Sequence, residues 1–303
     1  MRRALAVCAV LVGGGLMGAL LLTAPPPPRK VLAREAQLRA EPLPAELAAL
    51  VQVARPKLPS GEGDWLTEHP EEGQSVEEHR VDCVPVRGRT VYLVPTSELE
   101  GNPAALAVLD QLEPLLAAHF QLKVQRLPAL SRELAGKSER PRESGPQWLT
   151  TDVLAALEQR KPDDAAAVMA ITTVDLYPAP DWNFVFGEAS YETRMGVMSL
   201  ARSGDPKAEK ARVLERSYAT AMHEIAHMFQ LQHCIAWECP MNGSNHQQEA
   251  DTRPLEPCPH CLAKLMRATG LEPRKRWTEL RAAFEAAGLT RGVTEIDREL
   301  SAK

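Results

Sequence analysis

Residues 223–261 hold five of the chain's eight histidines and four of its six cysteines, and no other feature restricts the fold as much. His223-Glu224-Ile225-Ala226-His227 reads H-E-x-x-H inside a helical pattern over 208–231. The i, i+4 spacing sets both imidazoles on one helix face about one turn apart, where two neutral nitrogens can share a Zn²⁺. Glu224 stands beside the first of them, so its carboxylate can reach a water on the metal without being a ligand, as a general base must. Two solvated surface histidines would carry the same pentad. His233 shifts the weighting: it occupies the third-ligand position of H-E-x-x-H-x-x-G-x-x-H, and three histidines leave a fourth position open for water or substrate. Gln230 stands where that pattern has glycine, at a cost of roughly 1 kcal/mol if the turn requires φ > 0.

Cys234 follows His233 directly, and with Cys239, Cys258 and Cys261 it spells C-x4-C-x18-C-x2-C. Four thiolates close a tetrahedral shell with no open position, the structural type of zinc site. In an oxidising compartment, two disulfides are the alternative. His260, inside the second cysteine pair, reads as an exposed side chain rather than a ligand.

The run His223 to Cys234, then Cys239-Pro240-Met241, then Glu249-Ala250-Asp251 leading to Cys258 and Cys261, closely resembles the archaemetzincins, a branch of the metzincin zinc peptidases. Upstream, 174–177 and 183–189 resemble strand segments of that family, so the likeness covers roughly residues 90–270. The resemblance implies a catalytic zinc on His223, His227 and His233 with Glu224 as base and acid, and Met241 beneath the metal. It also implies a structural zinc on Cys234, Cys239, Cys258 and Cys261, and a sheet edge at 184–189 that takes an extended peptide antiparallel. The rival to that edge role is a plain buried strand. Cys83 resembles, more distantly, a thiol that blocks the zinc in some metzincin propeptides.

The remainder of the chain is consistent with one catalytic domain and its extensions. Of 303 residues, 44% are hydrophobic, enough for a sizeable core. A net charge of −5 and a pI near 6.0 argue against a nucleic-acid partner. Residues 4–23 are almost unbroken apolar behind Arg2 and Arg3, which predicts a membrane-spanning helix in a signal peptide or signal anchor over 1–24. The domain is then expected outside the cytoplasm, either membrane-anchored or secreted/periplasmic. Residues 25–88 are rich in Pro, Gly and Glu and read as a linker and extension, briefly helical over 45–53. Beyond them, strands are expected over 90–94, 122–127, 166–176, 182–186 and 195–200, and helices over 104–120, 148–160 and 277–287.

The expected fold over 89–303 is α/β (α+β) and zincin- or metzincin-like: a mixed twisted sheet, an active-site helix and a small zinc-stapled carboxy-terminal subdomain. The expected function is a zinc metallopeptidase with two Zn²⁺ and a peptide or protein substrate. The alternative is a non-catalytic zinc-binding or peptide-binding module whose metzincin site has degenerated at Gln230.

Overall fold

The computed structural model describes residues 5–10 and 29–302. Its strands are β1 Leu5–Val10, β2 Thr90–Pro95, β3 Lys123–Arg126, β4 Gln147–Leu149, β5 Ala165–Thr172, β6 Asp175–Tyr177, β7 Phe184–Ser190 and β8 Met195–Ser199. They form one sheet in the order β3-β2-β5-β8-β7-β6-β4, with β1 also on β7. β3, β2, β5 and β8 are parallel, whereas β7 runs antiparallel to both β8 and β1. The alternation of side chains along a strand then builds two cores. Val91, Leu93, Met169 and Ile171 face the core shared with helices Pro103–Phe120 and Lys210–Met228. Tyr92, Val94, Val168 and Ala170 face the one built with Trp148 and helix Thr150–Glu158.

Most expected elements appear with shifted ends. The strand expected over 166–176 is interrupted after Thr172 and resumes as β6, and the stretch over 148–160 opens as β4 before turning helical. The amino-terminal expectation needs correction: Leu5–Val10 is a strand, not part of a helix, and 11–23 lie outside the described residues. Among the described residues, no helix is long and apolar enough to cross a membrane.

The stretch read as linker and extension packs onto the domain. Leu38, Leu47 and Leu50 are buried in the first core, and Trp65 is in the second. At the carboxy terminus, helices Pro259–Thr269, Pro273–Ala286 and Thr290–Ser301 add side chains to the first core, where Phe284 stands edge-on to Tyr218 of helix Lys210–Met228. Arg276 and Glu256 form a buried ion pair at 2.7 Å. Removing one partner of such a pair typically costs about 3–5 kcal/mol, because the other charge is left buried.

Candidate active site and metal centres

Helix Lys210–Met228 buries Val213, Leu214, Tyr218, Ala221, Met222 and Ile225. That amphipathic spacing fixes the helix's rotation and carries His223 and His227 inward with it. Their Nδ1 atoms donate to the carbonyls of Pro240 at 2.8 Å and Leu231 at 2.6 Å. The Nδ1 of His233 meets the Glu71 carboxylate at 2.8 and 3.1 Å. With each Nδ1 hydrogen taken by an acceptor, the lone pair of each neutral ring lies on Nε2. The three histidines form one group with ligand atoms within 4.8 Å, and the Nε2 atoms of His223 and His227 are 2.9 Å apart. Two lone pairs at that separation repel unless a cation sits against both, so the donor set fits zinc. Burial, then the neighbouring histidines, hold His223 and His227 well below the usual imidazole range, in the neutral form a metal needs.

The turn that brings His233 back is made without glycine. Gln230 adopts φ 66°, the left-handed conformation that the motif glycine would supply. Its own groups hold it there: the side-chain Oε1 accepts from the Val84 N–H at 2.7 Å, and its carbonyl accepts from Gln74 Nε2 at 3.2 Å.

Glu224 is 1% exposed and lies against β7. A Cβ on Gly187 would come within 2.7–2.8 Å of the Glu224 side chain, so only glycine lets the strand pass this close. The free edge of β7, where the resemblance implied a bound peptide, carries β1 in this structure, with Val7 opposite Glu188 and Ala9 opposite Val185.

The thiols of Cys234, Cys239, Cys258 and Cys261 also lie within 4.8 Å of one another and are free. Cys234 and Cys258 Sγ are 3.8 Å apart. That is the edge, about 3.8 Å, of a tetrahedron with Zn–S bonds of about 2.3 Å, and far beyond a disulfide's roughly 2.05 Å. Hydrogen bonds from the other three thiols hold Cys234 well below the usual thiol range, while burial pushes Cys239 and Cys258 well above it. Met241 is fully buried, and its carbonyl accepts from the Cys234 N–H at 2.8 Å.

Two readings change. His260 is buried, stacked on Trp237 and accepting its indole N–H at 3.1 Å. The Cys83 thiol sits 3.5 Å from the Phe229 carbonyl and is not among the clustered metal-binding groups. A third group, Asp64, His246 and Glu249, could also hold a metal. Its carboxylates, however, accept backbone N–H groups of Gly61, Trp65 and Asn245.

A profile of peptidase family M54 matches residues 147–267. Archaemetzincin-2 of Homo sapiens is 35% identical over 257 residues, covering 72% of this chain and 71% of that protein. Archaemetzincin-1 of Homo sapiens is 30% identical over 255 residues, covering 72% of this chain and 51% of that protein. The crystal structure of an archaemetzincin from Methanopyrus kandleri matches with a TM-score of 0.50 at 28% identity, over 61% of this chain and 97% of that one.

Proposed function

The chain belongs to the archaemetzincins, peptidase family M54, and is a zinc metallopeptidase; from that premise we propose that it cleaves peptide bonds at the three-histidine centre with Glu224 as general base and acid. The observation that carries this reading is the convergence of three imidazole Nε2 atoms beside a carboxylate pressed against Gly187 of β7.

His223, His227 and His233 would hold the zinc ion, which when bound would supply a Lewis acid able to polarise a peptide carbonyl and lower the pKa of water toward about 7. Glu224 takes the proton of the attacking water and delivers it to the leaving amine nitrogen. Its burial against β7 keeps that proton between substrate and carboxylate. An extended peptide paired antiparallel with β7 brings its main chain past Gly187, and therefore past Glu224. The antiparallel pairing of β1 on that edge supports this approach. Such pairing reads backbone, with side-chain pockets adding selectivity.

The second zinc in this reading belongs to the four thiols, a closed structural shell. We also propose export, with the domain membrane-anchored or secreted/periplasmic, on the strength of the apolar run behind Arg2 and Arg3.

The test is Glu224→Gln, assayed on a fluorogenic peptide library with zinc measured on the same samples. Hydrolysis should fall about 10²–10⁴-fold while zinc is retained. Full activity in a zinc-loaded variant would overturn the role of Glu224.

A further inference from the structure

We infer that Glu71 is a positioning residue for the catalytic zinc, supplied by the extension that precedes the sheet; the inference rests on reading the three-histidine centre as a zinc site. The three Nδ1 partners are not alike. His223 and His227 donate to backbone carbonyls close in sequence to the centre, at Pro240 and Leu231. His233 alone faces a carboxylate, from a residue 162 positions away.

That carboxylate is itself held by Trp65. The indole N–H of Trp65 donates to Glu71 Oε1 at 2.9 Å, and the Trp65 ring stands edge-on to the His233 ring, with centroids 5.1 Å apart. A Cβ on Gly243 would come within 2.3–2.5 Å of that indole, so the ring is wedged against backbone that admits only glycine. Three residues after Glu71, Gln74 donates to the Gln230 carbonyl and accepts from the Gln232 N–H, each at 3.2 Å. Trp65, Glu71 and Gln74 thus grip the turn that delivers His233.

A carboxylate on the distal nitrogen of a ligating histidine fixes its tautomer and ring orientation and raises its basicity as a donor. A backbone carbonyl orients the ring but adds no full charge. His233 is the ligand with most need of this. It lies beyond the helix end, after a strained residue at 230, whereas His223 and His227 are held by a continuous helix.

The test is competition with a chromophoric zinc chelator, using the full chain and the variants Glu71→Gln, Glu71→Ala, Trp65→Phe and His233→Ala. Wild type should hold near two zincs per chain, and His233→Ala near one. In Glu71→Ala the more weakly held zinc should bind about 10–100-fold less tightly. Glu71→Gln accepts the same hydrogen bond without the charge and should fall between. It is nearly isosteric, so it carries the test alone if the alanine variant does not fold. Trp65→Phe removes one hydrogen bond to Glu71 but keeps the carboxylate, so it should lose less affinity than Glu71→Ala, and every Glu71 variant should keep the zinc on the thiols.

Unchanged affinity in both Glu71 variants, with one zinc lost in His233→Ala, would overturn the role of Glu71 and leave the zinc centre standing. Equal losses in Trp65→Phe and Glu71→Ala would assign the effect to packing and likewise overturn it. One zinc in both wild type and His233→Ala would overturn the zinc centre, and the inference with it.

Discussion

His223 donates from Nδ1 to the carbonyl of Pro240 at 2.8 Å, and Pro240 directly follows Cys239 of the four-thiol cluster. The turn at 239–241 therefore serves both centres. Its thiol closes one, its Pro240 carbonyl orients a histidine of the other, and its Met241 carbonyl accepts the Cys234 N–H.

Cys258→Ser should consequently weaken zinc at the histidines as well as at the thiols. Zinc per chain should fall from near two to near one in excess metal, with the remaining ion lost to chelator earlier than its wild-type counterpart. An unshifted chelator titration of the remaining ion would show the two centres to be independent.

Gln230 separates backbone strain from side-chain anchoring. Gln230→Gly relieves a left-handed residue, worth about 1 kcal/mol, but loses the bond from the Val84 N–H, worth about as much, so its net change should be small. Gln230→Ala keeps the strain and loses the bond. In urea unfolding of zinc-saturated protein, the alanine variant should be less stable than the glycine variant by about 1 kcal/mol. The opposite ranking would refute this account.

Glu188 predicts a pH dependence. Burial raises its carboxyl pKa to about 7, offset only in part by the hydrogen bond from the Thr150 hydroxyl. Between the ordinary value of 4.5 and about 7, the folded state keeps a proton that the unfolded chain has released, so stability falls as pH rises through that window and levels off above it. The loss is on the order of 3 kcal/mol. Glu188→Gln holds no titratable proton, so the difference in unfolding free energy between variant and wild type should grow from pH 4.5 to pH 7. A constant difference across that range would contradict the assignment.

The site was legible in unequal parts. The spacing of His223 and His227 is a property of the helix, and the apolar pattern of Lys210–Met228 sufficed to place both on one buried face. The cysteine pairs are likewise short-range patterns. Gln230 advertised its departure from the motif, but only its dihedral and the groups from Val84 and Gln74 show how the turn survives without glycine. Glu71 carried no signal, being one acidic residue in a Glu-rich stretch read as linker and extension. The apolar run at the amino terminus reads as a membrane helix by hydropathy alone, and the strand Leu5–Val10 depends on the unpaired backbone of β7, which hydropathy does not register.

By itself the sequence determined which side chains can bind metal and roughly where strands and helices fall, because periodicity and ligand spacing act within a few residues of chain. Only the tertiary structure decided what supports them: Glu71 on His233, the Pro240 carbonyl on His223, and Gly187 beside Glu224. Those contacts join residues tens to well over a hundred positions apart. They depend on how the sheet, the active-site helix and the extension pack, which no local pattern encodes.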